Sequence, residues 1–247
     1  MSKVVLSLVV TLLALIALSG LASAQVPPCT TLSGSAFSYC VSDTGNVVQM
    51  ETPLGTQHLS TTSPGEGYGV CDVETGVRYF DYNDGAHNWK TAQVFSTNPL
   101  VIRRTTSDGL WQLEQTFTTS KSDSSIKVKM ELINQAAINK RALLVRYADV
   151  NVNGSSSDYL MATTISADAI DTIDPPASPG MQLRDAKGAG ANVLPIVQKV
   201  PSGPDPCAPA ANSGNPFTVN DGSLELVYAA TVPRNGSKTF NALYRPF

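Results

Sequence analysis

Between residues 100 and 150 apolar and polar side chains alternate almost without interruption, the period of strands that rest one face on a core and turn the other to water. Ile126, Val128, Met130 and Leu132 alternate with Lys127, Lys129 and Glu131. Upstream, Trp111, Leu113 and Phe117 fall on one face of a strand, and Ser107-Asp108-Gly109 supplies the turn that separates it from residues 100–106. After a mostly polar connection at 134–140, residues 141–150 read as another strand with Leu143, Val145 and Tyr147 on one side. The stretch 100–150 therefore predicts an antiparallel meander.

The same period, more weakly expressed, predicts strands at 36–41, 46–51, 67–73 and 77–82, the first two joined by Ser42-Asp43-Thr44-Gly45 as a hairpin loop. Toward the other end Leu224, Leu226, Tyr228 and Ala230 alternate, Pro233 to Gly236 turns the chain, and Phe240, Ala242 and Tyr244 share a face, which predicts a closing hairpin. No amphipathic helix interrupts these segments. So many short strands predict an all-β fold, an antiparallel β-sandwich in a single large domain over residues 25–247. Between 174 and 221 prolines, glycines and small residues dominate, a long Pro-rich loop excursion with one candidate strand at 191–200.

The first 24 residues break the pattern. Lys3 is followed by an apolar run from Val4 to Leu18 and by Ala22-Ser23-Ala24, the layout of a cleaved signal peptide, with the mature chain starting at Gln25. Ser7, Thr11, Ser19 and Gly20 dilute the run below what a membrane anchor requires, and no later stretch is long and apolar enough to span a bilayer. The expected location is secreted or periplasmic.

Composition fits that location. Charged residues make up only 15% of the chain, and a net charge of −3 has the wrong sign for phosphate backbones, so nucleic acid is not an expected partner. Four cysteines, Cys29, Cys40, Cys71 and Cys207, follow the cleavage point in a chain bound for an oxidising compartment, which predicts two disulfides. Three pairings are open. Cys29 with Cys40 would pin the amino-terminal segment, and Cys71 with Cys207 would tie the Pro-rich excursion to the body.

Candidate chemistry is sparse. Asp149-Val150-Asn151-Val152-Asn153-Gly154 resembles the D-x-[DN]-x-[DN]-G calcium loop, which offers hard oxygens at alternate positions. Asp149, Asn151, Asn153, Ser155 and Asp158 are the candidate ligands, with calcium the candidate cofactor and Asp158 acting where the full loop has an acid at Leu160. The competing reading is a plain Asn-Gly turn, and Asn153 also lies in an N-glycosylation sequon, as does Asn235. Asp168, Asp171 and Asp174, and separately Asp81, Asn83, Asp84 and Gly85, read as solvated acidic turns. Trp89 and His87 are a candidate ligand surface, since an exposed aromatic suits a sugar ring. His58 sits in a turn-like polar context that suggests a surface position.

No nucleophile elbow, zinc-protease helix, phosphate loop or dinucleotide fingerprint is present. Glu114, Glu131, Asp149 and Asp158 are available for a carboxylate pair. The succession from Trp111 to Phe117, then 127–134, then 143–149 resembles the strand texture of large secreted sandwiches, including those related to galactose mutarotases. The histidines and glutamate of mutarotase chemistry have no residue-by-residue counterpart here, so the resemblance implies architecture and not activity. The sequence reads as a non-enzymatic ligand-binding or envelope or extracellular structural protein, with a glycan or another envelope component as partner. The alternatives are a carbohydrate-active enzyme or its accessory carbohydrate-binding domain, and adhesion through an unprotected edge strand.

Overall fold

A computed structural model describes residues 28–82, 85–172, 179–187, 193–198, 203–209 and 217–247; the expected signal peptide, Asn83, Asp84 and Asp174 lie outside the described residues. The chain opens with β1 (Cys29–Ser33), β2 (Ser38–Ser42) and β3 (Val47–Glu51), a small sheet of its own. Next come β4 (Glu66–Asp72), β5 (Val77–Tyr82), β6 (Gly85–His87), β7 (Gln93–Thr97), β8 (Leu100–Thr105), β9 (Trp111–Ser120), β10 (Ser125–Asn134) and β11 (Lys140–Val150). A 3₁₀ turn at Val152–Gly154 leads to β12 (Asp158–Ala162), β13 (Ser166–Asp171), β14 (Gly180–Asp185), β15 (Val193–Gln198), β16 (Phe217–Val219), β17 (Gly222–Val232) and β18 (Ser237–Pro246).

Two large sheets face each other. One has nine strands in the order β16-β12-β13-β14-β18-β10-β9-β8-β7, the other six in the order β15-β17-β11-β4-β5-β6. The fold is the antiparallel β-sandwich that the alternation predicts. Trp111, Leu113, Phe117, Val128, Met130 and Leu132 from the first sheet meet Leu144, Ala148, Val150, Leu224 and Leu226 from the second in one core. Each Val, Leu, Met or Phe side chain among them contributes about 1.5–3 kcal/mol of burial.

Two expectations of connectivity need correction. The meander holds for β8, β9 and β10, but β11 crosses to the other sheet, where it lies between β17 and β4. The closing hairpin is likewise a crossover, since β17 belongs to the six-stranded sheet and β18 pairs with β10 and β14 in the nine-stranded one. The reason lies at a shared corner: Asn134 donates from its amide to the carbonyls of Ile138 (2.7 Å), Val232 (3.1 Å) and Pro233 (3.2 Å), binding both crossovers side by side. Residues 174–221 are also more than loop, because they contain β14, β15 and β16; β15 falls within the expected strand at 191–200.

Three carboxylates inside the sandwich each have a cation. Glu66 meets Arg146, Asp81 meets Arg104, and Asp72 meets Lys140 at 2.5 Å while also accepting from the Trp111 indole at 3.2 Å. Both disulfides form, Cys29–Cys40 and Cys71–Cys207, the second closing a separation of 136 residues. No helix among the described residues is long and apolar enough to cross a membrane.

Candidate functional site

The six-stranded sheet has two unlike faces. Ala142, Leu144, Ala148 and Val150 of β11 enter the main core, whereas Val145 joins Ile196, Val227 and Leu143 in a second, smaller cluster. Strand alternation places Tyr147 and Asp149 on that second face. Tyr147 pairs with Glu225 and Asp149 with Ser223 across β11 and β17, and Gln198 of β15 pairs with Ser223 from the other side. Asp149 and Glu225 are thus diagonal neighbours, about 7–8 Å apart at Cα in such a lattice. Gly67 and Gly69 of β4 sit beside them and let neighbours close in: a Cβ at Gly67 would collide with the Asp81 carbonyl, and one at Gly69 would lie 3.0 Å from Pro206.

These polar groups are buried and short of donors. Glu225 is 0% exposed; one of its oxygens accepts from Gln198 at 2.8 Å and the other has no partner among the described residues. Asp149, 2% exposed, has one unpartnered oxygen, and the hydroxyls of Tyr147 and Ser223 have only each other. Burial pushes the Glu225 carboxyl up to about 7, and burial with the nearby charge of Asp221 does the same for Asp149.

The chain leaves β11 at Asp149 and re-enters the other sheet at Asp158. The end of β11 is held by residues 57–65: the Ser60 amide donates to the Asp149 carbonyl, the Asp149 amide to Gly65, and the Asn151 amide to His58. Asn153 (φ 58°) and Gly154 (φ 72°) take left-handed backbone, which lets the turn reverse. Asp158 then stands directly opposite Asp171 across β12 and β13, an arrangement of like charges that disfavours itself. Among the described residues the Val152 amide is the one donor near the Asp158 carboxyl, and burial together with Asp171, Asp149 and Asp221 pushes that carboxyl up to about 8.

Of the sequence-predicted ligands, Asp149 and Asp158 come close enough to act on each other electrostatically, and the Asn151 side-chain oxygen is buried without a partner. Asn153 is committed elsewhere, donating to Asp171 at 3.1 Å, and Ser155 accepts from the Ser157 amide at 3.1 Å. Among the described residues no three His, Cys, Asp or Glu side chains form a group that could hold a metal ion. Asp168 and Asp171, expected as solvated turn residues, are buried in β13.

His87 is exposed and stacks on Phe80 at 4.9 Å, which stacks in turn on Tyr82 at 5.4 Å, and Tyr82 meets Tyr147 edge-on at 5.6 Å. An aromatic row therefore leads from the surface to the carboxylates. Trp89 does not join it. Its ring packs on the core against Tyr68 and Tyr79 with Arg104 beside it, because Tyr68 and Tyr79 on the inner face of the sheet offer apolar cover. His58 is fully buried rather than on the surface, its Nε2 lying 2.6 Å from the Thr52 carbonyl, and burial lowers its pKa. A separate cleft of about 410 Å³, lined by Asp185, Lys187, Tyr228, Lys238 and Phe240, opens between β17 and β18.

Sequence reasoning missed Glu225, Ser223 and Gln198. Ser223 and Glu225 alternate with Leu224, Leu226 and Tyr228 as solvent-facing residues would, Gln198 ends a separate strand, and no signal in the sequence marks that face as covered.

No protein-family model and no curated protein sequence matches the chain. Its fold is similar to that of a putative aldose 1-epimerase from Escherichia coli K12, at 11% identity and a TM-score of 0.50, covering 89% of this chain and 99% of that one. It is also similar to a bacterial glucoamylase solved with acarbose, at 11% identity and a TM-score of 0.60, covering 91% of this chain but only 32% of the glucoamylase. The chain has an aldose-epimerase-like sandwich fold.

Proposed function

We propose that this is an exported carbohydrate-active protein whose saccharide site is the outer face of the six-stranded sheet. The observation that carries the reading is the pair of buried carboxylates, Asp149 and Glu225, set diagonally on that face and flanking the Tyr147 hydroxyl. Sugar chemistry needs a group that gives a proton and one that takes it, across distances of about 5–9 Å, and a carboxyl poised near 7 serves either role at neutral pH. Glu225, relieved of like charges and held by Gln198, is the proton donor of the pair. The aromatic row from His87 supports an approach path for a ring. The fold shared with a putative aldose 1-epimerase and with part of a glucoamylase supports saccharide as the ligand class. Export is supported by the amino-terminal signal and two disulfides.

The complete burial of both carboxylates favours a second reading, a sugar-binding module without turnover. One experiment separates the two. The disulfide-intact protein is screened against a glycan array, by polarimetry on free aldoses, and on a panel of aryl glycosides. Turnover that falls as pH rises above about 7 and drops at least ~100-fold in Glu225→Gln, with affinity retained, supports catalysis. Binding without turnover supports the module, and neither binding nor turnover overturns both.

A further inference from the structure

We infer that the cleft between β17 and β18 binds a small phenolic carboxylic acid, an aromatic ring with one hydroxyl and one carboxylate. The inference does not rest on the saccharide site, because β17 turns Tyr228 and Ala230 toward the main core and Glu225 to the opposite face. At the cleft the two sheets part and leave a strip of that core open. Val193 of β15, Ala230 of β17 and Phe240 of β18 pack against the core yet are half-buried, and all three line the opening. The Phe240 ring lies 5.1 Å from the Tyr228 ring at an angle of 42°, and in the lining it offers a third ring the offset or edge-on contact that aromatic groups prefer. The volume of about 410 Å³ falls within the ~300–1,000 Å³ of small-molecule sites, which are likewise apolar with a few placed polar groups.

Charge at the cleft selects the rest of the ligand. Lys187 and Lys238 line it, both exposed, and neither forms an ion pair among the described residues. The Ala186 amide donates to the Asn241 carbonyl at 2.8 Å, which carries the pairing of β14 with β18 one step further and brings Lys187 level with Phe240. Lys238 stands two residues from Phe240 on the same side of β18, so both lysines are rooted beside that ring. Among the described residues of the lining, Asp185 is the one carboxylate. It is 5% exposed and accepts from the Lys187 amide, and burial raises its pKa against the pull of Lys187 and Arg184. Two ammonium groups against one carboxylate leave the lining a single positive charge, which a monoanion neutralises. A purely apolar body would strip water from Asp185 and return nothing, whereas a ring hydroxyl donates to it. Ring, carboxylate and hydroxyl together describe a phenolic acid.

The test uses the disulfide-intact protein and isothermal titration calorimetry with para-hydroxycinnamate, with no sugar present. Saturable one-to-one binding is expected. Lys187→Met and Lys238→Met are each expected to weaken it ~2–5-fold, the scale of an exposed charge contact, and the double variant about 10-fold. The uncharged para-hydroxycinnamyl alcohol should bind wild type about 10-fold more weakly than the acid, and the double variant should bind acid and alcohol alike. Cinnamate, which lacks the hydroxyl, should bind wild type at least ~3-fold more weakly than para-hydroxycinnamate. Should the double variant fail to fold, raising salt from ~20 mM to ~500 mM takes its place and is expected to shrink the preference for the acid. No binding of para-hydroxycinnamate at ~10 mM, above the range of weak millimolar ligands, overturns the inference. So does equal wild-type affinity for the alcohol or for cinnamate, or a preference for the acid that survives loss of both lysines or added salt.

Discussion

Arg146→Met is the sharpest probe of what holds the two sheets together. Arg146 is fully buried; its guanidinium lies 2.5 Å from Glu66 and donates to the Tyr244 hydroxyl (2.8 Å), the Gln115 side-chain oxygen (2.6 Å) and the Gly45 carbonyl (3.3 Å). These partners come from β9, β18, β4 and the β2–β3 loop, so one side chain from β11 ties both layers and the amino-terminal sheet. Methionine fills much of the volume but leaves Glu66 charged, buried and matched only by Tyr244 and the Val47 amide. Breaking one side of a buried pair costs about 3–5 kcal/mol, which at ~2–4 °C per kcal/mol for a domain of this size lowers the melting temperature by roughly 6–20 °C.

The pH dependence of that loss has a definite sign. Burial already pushes the Glu66 carboxyl up to about 7 against the pull of Arg146, and removing Arg146 pushes it higher still. A carboxyl whose folded value is raised favours the protonated native state. Its contribution is fully present below the ordinary value near 4.5 and is lost as pH rises toward the folded value. The variant should therefore be nearly as stable as wild type at pH 4.5 and show its full deficit at pH 8. Arg146→Met with Glu66→Gln should recover at least half of the deficit at pH 8. Differential scanning calorimetry across pH reads all of this, and a deficit that is flat with pH, or a double variant no better than the single one, refutes the reasoning.

Three further outcomes are expected. Replacing Cys71 and Cys207 by serine removes a cross-link spanning 136 residues, which in the chain-entropy account costs about 5 kcal/mol; an unchanged urea midpoint would count against it. Lys140→Met strips Asp72 of its cation at 2.5 Å and leaves it the Trp111 indole and Thr75, a loss of about 3 kcal/mol that Lys140→Arg should largely spare, as equilibrium denaturation would show. Mass spectrometry of the protein expressed in a secreting host should find Gln25 at the amino terminus, and a mature product that keeps residues 1–24 would refute the signal reading.

The strands that the sequence announces are those with contrast between their faces. Residues 77–82 match β5 at both ends, and β9 and β10 follow the expected inward set of Trp111, Leu113, Phe117, Ile126, Val128, Met130 and Leu132. β12 and β13 are not legible because Asp158, Asp168 and Asp171 occupy buried positions, and the alternation in Ser166–Asp171 rests on Ala167 and Ala169, too small to mark a core face. β6 and β7 fail for the opposite reason: nearly every residue is exposed. In the candidate site, the spacing of oxygen-bearing side chains around Gly154 draws the eye to Asp149, Asn151 and Asp158 in the sequence. Nothing marks Glu225 in that way, since its place opposite Tyr147 depends on a pairing between residues 78 positions apart in the chain.

The twin crossovers at Asn134 bear on how the molecule is made. β17 sits between β15 and β11 in one layer, and β18 between β14 and β10 in the other, so the last two strands described fill an interior slot in each. Until both have emerged, β10 and β11 each lack a neighbour and neither half can close over its oily side. Assembly must then wait for nearly all of the polypeptide to be delivered, which suits a chain threaded through a translocation pore in an unstructured form and completed on the far side.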